Sequence, residues 1–249
     1  MNDGMLTLRR AYTTLGVTGP ILLHPNLNLP RELAATDTWK AAAELLAESL
    51  EPYHVAVPAY TYSFCHGRPF DVKLSPAEDV GMFPEWYRTQ SGNKRTQHGI
   101  FSHAGTGLPN VDNDAFGPGS YFGWLHRRNG TVLNVGCTMR QGGTFVHYIE
   151  QSTNVDYRYR KDFTGLVIDE QRNQSIQTYG SYVRDLDRGV ETVLQPMEQR
   201  LLDTGRLNAV DIAGYRIMAG RAKDIYDGVR EALDEDPYYL VRFAPGEAA

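Results

Sequence analysis

The segment Gly142-Gly143-Thr144-Phe145-Val146-His147-Tyr148-Ile149-Glu150 sets an imidazole and a carboxylate three residues apart, just after a glycine pair. On a helix such residues share a face, so Glu150 can hold one ring nitrogen of His147 and leave the other to take a proton. If Thr144 caps the helix, His147 lies in its first turn, where the macrodipole disfavours imidazolium while Glu150 favours it. The balance suits a neutral base near pH 7, as proton removal from an amine or hydroxyl requires. The same spacing also fits a half-buried histidine tied to a local carboxylate, and both readings stand.

Other candidates are less specific. His98 and His103 sit in a Gly/Ser-rich loop, Arg95-Thr96-Gln97-His98-Gly99 followed by Ser102-His103-Ala104-Gly105. Phe116-Gly117-Pro118-Gly119-Ser120-Tyr121-Phe122-Gly123 lets a backbone approach a ligand closely, or is only a tight turn. Cys137, in Val135-Gly136-Cys137, reads as a small core residue before a nucleophile. The 7 histidines and 2 cysteines form none of the metal spacings HExxH, HxH or CxxC, and Cys65-His66 would point to opposite faces of a strand. No metal is expected. GxSxG, GxxxxGK[ST] and a strand–helix GxGxxG are also missing, so serine hydrolase, P-loop and dinucleotide-binding readings lack their motifs.

The elements that must position these residues follow from periodicity. Residues 5–16 and 38–50 predict helices, and 19–24 a turn leading into a buried strand. His54–Pro58 and Thr131–Cys137 predict further strands, Phe145–Ser152 a short helix, and Leu166–Ile168 a strand. Residues 58–130 show almost no sustained period, which is more typical of functional loops than of connectors. Residues 181–235 read as mostly helical, interrupted near Gly205 and Gly214. With no repeat or linker in sight, the expectation is one domain over residues 1–249. Its class would be α/β (α+β), a central mixed sheet flanked by helices, with long functional loops and a helical C-terminal third.

Composition agrees with that class: 249 residues, 41% hydrophobic and 22% charged, exclude a disordered, collagenous or coiled-coil chain. Residues 1–184 carry 17 acidic and 17 basic side chains, so the net charge of −5 lies wholly in the last 65 residues, with 13 against 8. No concentrated basic surface is available for nucleic acid. No run approaches the roughly 20 apolar residues of a membrane span, and the start lacks a secretory pattern, so a cytoplasmic location is expected.

In order along the chain, several pieces resemble the aminoglycoside 3-N-acetyltransferase (antibiotic N-acetyltransferase) family. Pro58-Ala59-Tyr60-Thr61-Tyr62-Ser63-Phe64 resembles its proline–threonine–aromatic strand end, and Phe70-Asp71 precedes Val80-Gly81-Met82-Phe83-Pro84-Glu85-Trp86-Tyr87-Arg88, similar to V-G-x-x-x-E-x-x-R. Arg95 through Gly105 resembles the R-S-x-H-P…S…G loop, Phe116–Ser120 the G-x-G-S-P pantetheine loop, and Thr144–Glu150 the T-x-x-H-x-x-E motif. Tyr157-Arg158 with Lys161, Phe163 and Gly165 is similar to the segment that follows.

The resemblance implies an acyltransferase that moves an acetyl group directly from acetyl-CoA, or another acyl-CoA, to an amine of an aminoglycoside or related amino-sugar. By family similarity His147 is the base, Glu150 orients it and His98 completes the catalytic surroundings. His24, Tyr60, Thr61, Gly117, Gly119, Ser120 and Tyr121 would hold the cofactor, while Asp71, Glu85 and Tyr62 would face the acceptor. The chain departs from the family at His24-Pro25-Asn26-Leu27, where a His-Ser-Ser-Leu stretch and a glycine pair belong, and residues 28–38 match no family piece. Gly99, Thr96 and Tyr121 also replace family residues. A bulkier acyl group, a donor on an acyl carrier protein and a biosynthetic role therefore stay open, and the sequence does not decide whether the protein is a homodimer. A thioesterase or amidase-like hydrolase using Cys137, and a binding protein without catalysis, stay open too.

Overall fold

Ile21-Leu22-Leu23-His24-Pro25 is apolar toward both faces and forms β1 (Ile21–Pro25), the middle strand of a seven-stranded sheet in the computed structural model, which describes residues 3–51 and 53–243. Ile21 and Leu23 point into one core and Leu22 into the other, as strand alternation requires. Its neighbours β2 (Val55–Pro58) and β6 (Thr131–Val135) run parallel to it and are buried throughout, as central parallel strands are.

On one face pack α1 (Asp3–Thr14), α2 (Asn28–Leu33) and α3 (Trp39–Ser49), with Leu8, Tyr12, Leu29 and Leu46 fully buried against the sheet. Thr38 caps α3, its hydroxyl accepting the Ala41 N–H at 3.4 Å. The long irregular stretch holds only short elements. They are a 3-10 turn at Tyr62–His66, β3 (Phe70–Asp71), α4 (Met82–Arg88), β4 (Lys94–Arg95), β5 (His103–Gly105) and α5 (Tyr121–Arg127). Strands β5 and β4 extend the sheet beyond β2 in antiparallel fashion, which makes it mixed.

After β6 the chain turns through α6 (Met139–Gly142) into α7 (Phe145–Thr153), then forms a hairpin of two 11-residue strands, β7 (Arg158–Ile168) and β8 (Gln174–Arg184), with β3 beside β7. The remaining residues are β9 (Val190–Thr192), α8 (Gln195–Asp203), β10 (Asn208–Ile212), β11 (Tyr215–Arg221), α9 (Ala222–Glu235) and β12 (Val241–Phe243). Helix α9 buries Ile225, Val229, Ala232 and Leu233, a helical stripe against the second core.

The mixed sheet and the helices at 3–14, 39–49 and 145–153 agree with the sequence expectation. The helical C-terminal third does not. Residues 208–221 form a hairpin turning at Ala213 and Gly214, both at positive φ, and β11 pairs with β6 inside the main sheet. Its Ile217-Met218-Ala219 run suits a helix equally well, so the apolar pattern alone could not separate the two. Among the described residues no helix is long and apolar enough to cross a membrane.

Candidate active site

The carboxyl ends of the parallel strands open onto a cavity of about 510 Å³. His24 and Pro25 come from the end of β1, Pro58 from β2, and Cys137 from just beyond β6; α2 and the start of α4 form other walls. Ligands sit at this end of parallel strands in α/β folds, because loops and helix starts converge there. A second cavity of about 340 Å³ lies between the α7 start and the β7–β8 hairpin, lined by His147, Arg158, Ser181, Tyr182 and Arg184. Tyr62 and Thr144 line both. The two spaces thus meet at one threonine and one tyrosine.

Gly142 permits this arrangement: a Cβ there would lie 2.5 Å from Cβ of His24. Without a side chain, the α6–α7 corner can close on the end of β1 and present Thr144 and His147 to the cavities. Thr144 does not cap α7 as the sequence suggested. It has helical backbone angles and no capping bond, because Gly143 already accepts the Val146 N–H, so its hydroxyl is not spent on the helix.

His147 Nδ1 lies 2.6 Å from Oε2 of Glu150, whose side chain is fully buried. Nε of Arg158 is 2.8 Å from that same oxygen, and the Tyr157 hydroxyl donates to Oε1 at 3.0 Å. A guanidinium nitrogen of Arg158 also approaches His147 Nδ1 to 3.0 Å. A carboxylate only accepts, so at 2.6 Å Nδ1 carries the proton and donates to Glu150. The Arg158 nitrogen, itself a donor, then acts on the ring through its charge and not as a hydrogen-bond partner, and the unprotonated Nε2 is the basic site. Burial pushes His147 below its ordinary value, Arg158 adds to that, and Glu150 pulls the other way. Burial alone would raise Glu150, but His147, Arg158 and Tyr157 outweigh it and hold the carboxyl below its usual range.

Of the remaining expected residues, the structure brings His24, Tyr60 and Tyr62 to the larger cavity. Burial pushes His24 down to about 4, so it is neutral there. Thr61 accepts from Arg95 at 2.7 Å and serves the loop. His98 lines neither cavity: its Nδ1 accepts the N–H groups of Ile100 and Phe101, which makes it a loop anchor. Gly117 and Gly119 pack their backbone against Asp114 and Asp112, and Ser120 caps α5 by accepting the Gly123 N–H at 3.1 Å. Tyr121 stacks on His103 with ring centroids 4.0 Å apart. None of these four lines either cavity.

Asp71 and Glu85 are likewise committed elsewhere. Asp71 accepts the Lys73 and Leu74 N–H groups and pairs with Arg172; Glu85 forks with Arg88 and accepts the Ala77 N–H. Cys137 donates to the His24 carbonyl at 3.0 Å, and burial pushes its thiol up to about 12. It is a poor nucleophile at neutral pH. Sequence reasoning gave no role to Arg158 and missed Arg184. The two are direct cross-strand partners on β7 and β8, a register that only the folded hairpin discloses.

The model of the aminoglycoside 3-N-acetyltransferase family matches residues 40–234. The crystal structure of the aminoglycoside acetyltransferase AAC(3)-IVa apoenzyme superposes with a TM-score of 0.76 at 20% identity, covering 98% of this chain and 93% of that one. AAC-IIIb, solved as a binary complex with CoASH, gives 0.72 at 17% identity over 98% of both chains. An AAC(3)-IVa variant in complex with apramycin gives 0.72 at 19% identity, over 94% and 93% of the two chains. No curated protein sequence matches the chain. The family match spans most of the sequence, and the chain belongs to the aminoglycoside 3-N-acetyltransferase family.

Proposed function

We propose that this protein transfers an acyl group, acetyl in the simplest case, from acyl-CoA to an amine of an aminoglycoside or related amino-sugar, with His147 as general base. The carrying observation is the meeting of the two cavities at Tyr62 and Thr144, beside the His147–Glu150 pair. The larger cavity takes the pantetheine arm and the smaller one the acceptor. A donor on an acyl carrier protein would end in the same thiol arm and use the same space.

In this reading the amine nitrogen attacks the thioester carbonyl, and its proton passes to Nε2 of His147. The C–N bond forms as the C–S bond breaks, and the thiolate leaves with the proton that the imidazolium returns. Glu150 stabilises the transient imidazolium, which a buried ring alone would resist. The Thr144 hydroxyl and the Tyr60 phenol, which both line the larger cavity, would donate to the developing oxyanion. The hydrolase reading based on Cys137 loses support from its bonded, protonated thiol.

Thiol release from acetyl-CoA is the test. Release should depend on added amine and yield an N-acetyl product by mass spectrometry. Thiol release at the same rate without amine would show hydrolysis and overturn the proposal.

A further inference from the structure

We propose that the acceptor carries an anionic group, a carboxylate or phosphate, alongside its amine, and that Arg184 binds that group; this rests on the transfer reading above.

Of the acceptors that the transfer reading admits, the lining of the smaller cavity suits an amino-sugar bearing an anion better than a polycation. Among the described residues that line it there is no carboxylate. Its charged lining is two guanidinium groups, Arg158 and Arg184; the other walls are aromatic, aliphatic or hydroxyl side chains such as Phe101, Phe116, Tyr182 and Leu186. The two arginines are directly opposed across the β7–β8 ladder. Like charges in that position repel one another unless a counter-charge or solvent screens them. Glu150 does this for Arg158 at 2.8 Å. Arg184 is exposed and has no carboxylate partner among the described residues; its one side-chain hydrogen bond goes to the Val190 carbonyl at 3.3 Å, so its charge is met by solvent and open to an incoming anion.

The carboxylates in the neighbourhood do not change this balance. Glu150 is fully buried behind His147 and already shared between the ring and Arg158. Asp79 lines the other cavity, and Asp185 and Asp187 flank Leu186 in sequence without lining this one. Asp71 and Glu85, which a cationic acceptor would need, are tied to Arg172 and Arg88. Arg184 is also close enough to His147 for its charge to disfavour imidazolium. An acceptor bringing one anion would neutralise Arg184 while its amine lies beside the base. An acceptor bringing several ammonium groups would meet an unneutralised guanidinium instead.

The test is calorimetric titration of the CoA-saturated protein with glucosamine, glucosamine 6-phosphate and gentamicin. The proposal expects glucosamine 6-phosphate to bind at least tenfold tighter than glucosamine, and tighter than gentamicin. Arg184→Gln should bring the ratio of the two sugars close to one, while Arg184→Lys should keep most of it; melting curves confirm that both variants are folded. Equal binding of the two sugars, tightest binding by gentamicin, or binding of none would overturn the proposal. Turnover is scored separately. A phosphate preference in binding without N-acetyl product would sink the transfer reading and leave the anion site standing.

Discussion

The proposed base depends on two opposed neighbours, and the arginine is the less obvious one. Glu150 draws a proton to His147, and Arg158, bonded to the same carboxylate, pushes it away. Removing Arg158 while keeping Glu150 leaves the attraction unopposed, so the imidazole should titrate at higher pH. Because the base works only when unprotonated, Arg158→Gln should move the acid limb of the kcat/KM profile upward, with its plateau above that limb less affected. An acid limb unmoved in that variant would show that Arg158 merely packs. The histidine and glutamate were legible in the sequence because their relation is local, three residues on one helix. Arg184 was not, since its place opposite Arg158, 26 positions away in sequence, depends on the register of the hairpin.

Elements deliver these side chains, and the tightest joint is between β1 and the α6–α7 corner. A Cβ at Gly142 would come within 2.5 Å of Cβ of His24, neither being the far end of a flexible chain. Gly142→Ala should therefore cost about 1–3 kcal/mol of stability, the usual scale of core overpacking. It should also weaken CoA binding and turnover together, because the corner carries Thr144 and the strand end carries His24. A variant with wild-type melting temperature and CoA affinity would refute this account of the joint. Strands β1, β2 and β6 could be read from sequence because they are short apolar runs bounded by Gly or Pro. Strands β10 and β11 could not, because Tyr215–Arg221 contains residues that serve a helix as well as a strand. Only the positive φ angles at Ala213 and Gly214 mark the turn between them. Likewise the sequence showed His98 near glycines and serines but not that two backbone N–H groups occupy its ring nitrogen.

Across the whole molecule, the same burial that builds the cavities makes the fold sensitive to acid. His24 is pushed down to about 4 and His98 to about 3, each by burial. An unfolded chain would bind those protons near pH 6.5. Below that pH the unfolded state takes up more protons than the folded one, so stability is full above about 6.5 and falls toward pH 4. His24 alone accounts for a loss of about 3 kcal/mol over that window. Melting temperature should drop steeply as pH falls from 6.5 to 4, and His24→Asn should flatten the drop. A melting temperature constant across that range would contradict it.

The central claim is that the imidazole of His147 takes the acceptor's proton while the thioester sits at Thr144. It is tested most directly by kcat/KM for the amine in the His147→Ala variant at saturating acetyl-CoA, measured by thiol release. The expected result is a loss of about 10²-fold or more, with CoA still bound. Turnover within a few-fold of the unaltered protein would show that the transfer does not pass through this ring.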